Sequence, residues 1–372
     1  MFLNQISFLK KLDGLVGPLL VWLLGLLPVR STSWSAIHCR SILIVRPGGI
    51  GDAVLLLPTL QACRDFFEGA SIYILAEKRN AQVFDLCEGV AEVWCYDKLG
   101  DWKDFFFKDY DLIIDTEQSH YLSAVISKLL RAGRRCGFAS NKRRLLFDCV
   151  SAYDQKSYEV ESFLSLLDSL EVPRPTSVQA PFISAQNLCG SSLGCLTSVI
   201  PQTPYVVLFP GASVADKRWP VERWAQLAVA LRGMDCQVVV VGGHQDLESA
   251  SLVAKRCGGI SIAGKTSLPQ VARVISEGKL FVGADSGLLH LAVAVGSRTV
   301  ALFGPSSIDK WAPRGSGHRV VSLGLPCSPC SRFGTIPPCL IEYRCVQDIS
   351  VSRVFEACKE GLLRGEHGTV CG

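Results

Sequence analysis

The chain predicts an α/β protein built from two doubly wound parallel sheets in series, each Rossmann-like, and three observations carry that reading. Short, apolar, β-branched runs alternate with helical segments, the alternation breaks off once and restarts, and 372 residues exceed the usual size of one compact core. Alternating strands and helices give a parallel sheet, because each strand must return through a crossover helix to lie beside its neighbour.

Taken in order, the first element is an apolar N-terminal segment, residues 1–30. From Leu15 to Val29 the chain reads LVGPLLVWLLGLLPV, without a charge, preceded by Lys10 and Lys11 and followed by Arg30. As a helix that run covers about 22 Å, short of the roughly 30 Å hydrocarbon core, and its glycines and prolines weaken it further. The segment reads as a helix lying at the inner leaflet, its flanking cations meeting anionic lipid. The competing readings are a signal peptide, which lacks a clean small-x-small cleavage site here, and a true span.

The N-terminal domain, 41–175, follows. Its strands are ILIVR (Ile42 to Arg46), SIYILAE (Ser71 to Glu77), VAEVWCY (Val90 to Tyr96) and DLIIDT (Asp111 to Thr116). Between Glu171 and Gly194 the composition turns to Pro, Ser, Gln and Gly, which marks a linker. The C-terminal domain, 195–350, resumes with YVVLFP (Tyr205 to Pro210), QVVVVGG (Gln237 to Gly243), KLFVGAD (Lys279 to Asp285) and TVALFG (Thr299 to Gly304), and residues 351–372 form a final helix and tail. Two such domains facing across a cleft would place two ligands beyond the carboxyl ends of their strands.

Composition narrows the function. Hydrophobic residues make up 48% and charged residues 19%, so the chain folds rather than staying disordered. A net charge of +4 is too mild for a broad phosphate-neutralising surface, which argues against nucleic acid. The basicity is local. Lys128, Arg131, Arg134, Arg135, Lys142, Arg143 and Arg144 fall between Gln118 and Phe147 with no Asp or Glu among them. That segment is either a solvated face or a cradle for an acidic ligand, such as a phosphorylated glycolipid or an anionic membrane.

Three segments carry chemistry. RPGGIGDAVLLLPTL (Arg46 to Leu60) follows the first strand and opens a helix. Its glycines permit a tight turn, but it is neither GxGxxG nor a Walker loop, so a dinucleotide or ATP site is poorly supported. Asp52 sits at that strand-to-helix turn, as a helix cap or as a general base for an acceptor hydroxyl. FPGASVADKRWP (Phe209 to Pro220) places Ser213 and Lys217 at the end of another strand, where Lys217 could neutralise a departing diphosphate. In FVGADSGLLHLAVAVGSRTVALFGPS (Phe281 to Ser306), a strand ends at Asp285, and Ser286 and Gly287 begin a helix whose free N–H groups suit an anion. His290 lies one turn further on.

Together these segments resemble the family 9 glycosyltransferases, the heptosyltransferases of lipopolysaccharide core synthesis, from about Ser41 to Ala357. The ADSGLLHLAVAVG…ALFGP block is the most specific part. The resemblance implies a GT-B fold, an ADP-activated heptose as co-substrate, and inversion at the anomeric carbon without a catalytic metal or other cofactor. By position it makes Asp52 the base, and Ser213, Lys217, Asp285, Ser286, Gly287 and His290 the donor contacts. An acid after GGHQDLE, Asp246 or Glu248, should meet the nucleoside. The acceptor, an anionic glycolipid, would lie in the N-terminal half against Arg134, Arg135, Lys142, Arg143 and Arg144, and the enzyme would work in the cytoplasm, peripheral to the inner face of the inner membrane.

Sixteen cysteines are more than a chain of this size needs as staples, so most read as reduced. Cys327, Cys330, Cys339 and Cys345 have one pair at zinc-knuckle spacing, and either free or redox-active thiols or a structural metal fits them. The alternatives from other classes are a nicotinamide-dependent oxidoreductase and a non-catalytic sugar-nucleotide-binding protein.

Overall fold

In the computed structural model, residues 2–27, 38–189, 194–212 and 214–363 are described. Contacts divide the chain into Met1–Val178 and Gln179–Gly372. Each unit holds a six-stranded, wholly parallel sheet.

In the N-terminal unit the strands are β1 (Ser41–Val45), β2 (Ser71–Ala76), β3 (Val90–Cys95), β4 (Asp109–Asp115), β5 (Arg131–Phe138) and β6 (Cys149–Ser151). In the C-terminal unit they are β7 (Tyr205–Phe209), β8 (Gln237–Val240), β9 (Ile260–Ser261), β10 (Leu280–Ala284), β11 (Thr299–Leu302) and β12 (His318–Val321). The orders are β3-β2-β1-β4-β5-β6 and β12-β11-β10-β7-β8-β9, the same doubly wound arrangement twice. Strand order reverses between β1 and β4 in one sheet and between β7 and β10 in the other. At such a switch point the crossover helices leave on opposite faces, so a crevice opens beyond the carboxyl ends of the two central strands.

Both faces of each sheet are covered, which is why the strands read as unbroken apolar runs. In the C-terminal unit, Val206, Leu208, Val238, Val240, Val282 and Leu302 point to one side, against Trp224, Leu227, Val253 and Val354 of helices Val221–Arg232, Leu247–Cys257 and Val351–Leu363. Val207, Phe209, Val239, Phe281 and Ala301 point to the other, against Val271, Ile275, Leu289 and Ala292 of helices Leu268–Glu277 and Gly287–Ala294. In the N-terminal unit one face gathers Leu43, Val45, Tyr73, Leu75, Trp94, Phe105 and Ile113.

Four strands lie beyond those read from the sequence. β5 carries three arginines, and β6, β9 and β12 are short and include the sheet edges, so none shows a sustained apolar run. The N-terminal helix runs Phe2–Gly25, longer toward the N-terminus than its charge-free stretch, and Pro28 and Val29 at the end of that stretch lie outside the described residues. No helix among the described residues is long and apolar enough to cross a membrane.

Candidate active site

Adjacency of β7 and β10 creates the polar centre of the C-terminal unit. Phe209 and Gly283 pair in register, so the turns after these two strands emerge side by side. The first turn carries Lys217 and the second Asp285, and Lys217 Nζ stands 2.6 Å from Asp285 Oδ2. On the other carboxylate oxygen, Asp285 Oδ1, His290 Nε2 lies at 3.6 Å, and His290 is 4% exposed. Burial alone would raise the Asp285 carboxyl, but Lys217 and His290 outweigh it and hold the group well below the usual carboxylate range. Ser286 caps the helix Gly287–Ala294 by accepting a hydrogen bond from Leu289 N–H at 3.4 Å. The N–H groups of the helix's first residues stay aimed beyond the sheet edge, where they and the helix dipole favour an anion. Ser213 lies outside the described residues.

Of the two acids after β8, Asp246 is buried and Glu248 exposed. Asp246 Oδ2 accepts from Gly243 N–H at 2.9 Å, and a Cβ on Gly211 would come within 2.3 Å of Asp246 Oδ1. The carboxylate therefore braces the turns after β7 and β8 against each other. It also lines a cavity of about 270 Å³ with Gly211, Ala215, Arg218, Trp219, Ser249 and Gln347.

In the N-terminal unit the same position at the sheet edge has opposite character. Gly48, at φ +106°, turns the chain sharply after β1, and helix Ile50–Leu55 begins with Asp52 in its first turn. The helix has no side-chain cap, and Asp52 makes no ion pair or side-chain hydrogen bond among the described residues. Its carboxylate folds back over the glycine turn: a Cβ on Gly49 would lie 3.5 Å from Asp52 Oδ2. Asp52 itself is half-buried.

Behind this turn runs a network that sequence reasoning missed. Arg46, 1% exposed, donates from Nη1 to Thr116 O at 2.8 Å and from Nη2 to Glu117 Oε2 at 3.5 Å and Gln118 Oε1 at 3.4 Å. Gln118 Nε2 donates to Glu159 Oε1 at 2.6 Å, and the Tyr153 hydroxyl donates to Glu159 Oε2 at 3.0 Å. Burial, then the neighbouring Glu159 and Asp52 charges, push the Tyr153 phenol far up, so it remains a donor. One signal for this network stood in the sequence: an arginine ending a strand that is otherwise wholly apolar has to find a buried partner.

The basic segment divides into two groups. Arg143 is fully buried, with Nη2 2.7 Å from Asp115 Oδ1, and Arg135 donates to Ser127 O at 2.9 Å and Leu130 O at 2.7 Å while facing Asp148 at 3.8 Å. Both guanidiniums are thereby turned into the structure, which corrects the expectation that they contact an acceptor. The segment has no acid of its own, but Asp115 and Asp148, just outside it, do the pairing. Arg134 is half-buried, whereas Lys142 and Arg144 are exposed.

A family model described as glycosyltransferase family 9 (heptosyltransferase) matches residues 102–340. The chain belongs to glycosyltransferase family 9. Among family members, lipopolysaccharide heptosyltransferase 1 of Pseudomonas aeruginosa is 26% identical over 315 residues, 78% of this chain and 85% of its own. The solved structure of Escherichia coli ADP-heptose lipopolysaccharide heptosyltransferase II superposes with a TM-score of 0.71 at 24% identity, covering 88% of this chain and 99% of that one. E. coli heptosyltransferase WaaC with ADP-2-deoxy-2-fluoro heptose gives a TM-score of 0.66 at 22% identity, covering 86% and 99%. The paired Rossmann-like sheets are those of the GT-B fold, and membership of family 9 sets aside the oxidoreductase reading.

Family 9 membership leaves the cysteine-rich loop to be read from the structure. The described cysteines are all free. Among the described residues no three His, Cys, Asp or Glu side chains are grouped to hold a metal ion; Cys345 is buried and Cys339 Sγ accepts from Tyr343 N–H at 3.2 Å, while Cys327 is exposed.

Proposed function

We propose that this glycosyltransferase moves a heptose from an ADP-sugar to an anionic glycolipid of the lipopolysaccharide core, at the cytoplasmic face of the inner membrane, with inversion and without a metal. The donor class is supported by the relatives' names and by the ADP-sugar analogue in the WaaC structure. The observation that carries the division of roles is the contrast between two carboxylates. Asp285 is buried, ion-paired and a poor proton acceptor. Asp52 forms no ion pair among the described residues, and its carboxylate lies over the glycine turn at the mouth of β1.

In this reading Asp52 takes the proton from the acceptor hydroxyl as its oxygen bonds to the anomeric carbon and the bond to the ADP oxygen breaks. The diphosphate lies on the N–H groups at the start of helix Gly287–Ala294, with Gly287 admitting close approach, Ser286 fixing the turn and Ser213 as a further contact. Lys217 neutralises the charge that grows on the leaving group, and Asp285 and His290 hold Lys217 and the donor in place. Asp246 faces the nucleoside across the 270 Å³ cavity. Lys142 and Arg144, both exposed, are the contacts proposed for the acceptor's phosphates, with Arg134 on the neighbouring strand.

The test is turnover of ADP-heptose with a core acceptor. Asp52→Asn should lower kcat by on the order of a thousandfold or more, while ADP raises the melting temperature as in the wild type. Normal turnover by the variant would overturn the assignment.

A further inference from the structure

We propose that helix Phe2–Gly25 is a docking element that lies in the plane of an anionic phospholipid bilayer and seats the acceptor edge of the N-terminal unit against it. The inference deepens the proposed function, resting on a membrane-held acceptor.

The helix has two apolar faces, of which the protein uses one. Val21 is fully buried and packs with Leu20 and Leu24 against Ala124, Val125, Leu146 and Phe147. Gly17 allows the close approach: a Cβ there would lie 2.5 Å from Tyr121 Cβ. The opposite face presents Leu15 (80% exposed), Leu19, Trp22 (56%), Leu23 and, in the turn just past the helix end, Leu26. These positions recur at helical spacing, forming one stripe with a Trp at its centre. A contiguous stripe of exposed leucines around a Trp marks an interaction surface, unlike single exposed apolar residues elsewhere on the unit.

Charge selects the occupant. The turn Lys142–Leu146 packs against the last turns of the helix, with Leu145 beside Gly25, and exposes two cations, Lys142 and Arg144. A second copy meeting this face about a two-fold axis would bring the same cations together, whereas an anionic bilayer neutralises them and takes up the leucines and Trp22.

Asp13 makes the docking directional. Its Oδ1 accepts from Leu122 N–H at 2.6 Å and its Oδ2 from Tyr121 N–H at 2.9 Å, capping helix Leu122–Leu129. That helix starts at the carboxyl edge of the sheet, directly after the Glu117–Gln118 loop that reaches Arg46. The bilayer-facing helix is thus fastened to the edge that carries Asp52, which suits a substrate whose lipid end stays in the membrane.

The experiment uses the full-length protein and vesicles of phosphatidylcholine with or without phosphatidylglycerol. Wild type should sediment with the anionic vesicles and be released by salt. Leu19→Asp/Trp22→Asp should weaken partitioning by on the order of tenfold or more, while turnover of a water-soluble acceptor fragment stays unchanged. Trp22→Phe should still bind, and should lose the part of the emission that brominated lipid quenches in wild type. Wild-type binding by the double variant, quenching unaltered in Trp22→Phe, or a dimer that the double variant dissociates would each overturn the proposal. Vesicle binding without turnover of any acceptor would leave the docking surface standing and remove the assigned reaction instead.

Discussion

Replacing Lys217 with Met tests the electrostatic centre of the C-terminal unit. The substitution keeps most of the aliphatic stem and removes a cation 2.6 Å from a carboxylate whose side chain is 6% exposed. At an effective dielectric of about 20, two charges at that distance attract by roughly 6 kcal/mol, most of it cancelled by the desolvation of the pair. Removing one partner of a buried pair typically costs about 3–5 kcal/mol. The lower end applies here, because Lys217 is 15% exposed and His290 still faces Asp285 at 3.6 Å.

Acidification gives the sign. In wild type the Asp285 carboxyl lies below its ordinary value of 3.8, so its contribution is present above that pH and is lost as pH falls toward the folded-state value. In Lys217→Met, burial acts with less opposition and the carboxyl rises. The stability gap between the two proteins should be widest at neutral pH and narrow below about pH 4. Asp285→Asn should restore much of what Lys217→Met loses, since the double variant buries no unpaired charge. Urea unfolding read by hydrogen exchange in the peptide carrying β10 follows this unit by itself. Effects that add within about 0.5 kcal/mol would show that the two residues are not coupled and would refute the reasoning.

Arg143→Met leaves Asp115 buried without its guanidinium and should cost about 3 kcal/mol in the urea stability of the N-terminal unit; loss of acceptor affinity at unchanged stability would instead place Arg143 at the substrate. Gly211→Ala drives a methyl to within 2.3 Å of Asp246 Oδ1 and should weaken ADP binding by about tenfold or more, measured by calorimetry, together with a lower melting temperature.

The sheets were legible because strands buried on both faces carry unbroken apolar runs, as ILIV in β1 and YVVLF in β7 do. β5 was not, since RAGRRCGF hides Arg135 by pairing it with Asp148 and with carbonyl groups, partners that no local pattern announces. The same blindness affected the cationic segment: its charges were counted correctly, but whether an arginine faces solvent depends on acids lying outside the counted window. In the C-terminal unit, Lys217, Asp285 and His290 could be picked out individually, because each sits after the end of a strand or one turn into a helix. Their meeting point was set by the β7–β10 pairing, a non-consecutive neighbour relation. Asp13, which no local pattern ties to a partner, caps a helix more than a hundred positions away.

The two switch points explain why one fold, used twice, yields unlike sites. At each, a turn follows a central strand and a helix N-terminus faces the crevice, so both edges begin with a preference for negative charge. In the C-terminal unit Asp285 meets Lys217 and His290, and the pair's charges nearly cancel, leaving the helix N–H groups to an incoming anion. In the N-terminal unit the cation behind the turn, Arg46, is engaged by Glu117, Gln118 and the Thr116 carbonyl and forms no direct ion pair with Asp52 among the described residues. A carboxylate clamped between a lysine and a histidine, as Asp285 is, gives up its affinity for a proton. On the proposed reading, the asymmetry a transferase needs, a base in one unit and an anion seat in the other, comes from which partner each edge gives its cation.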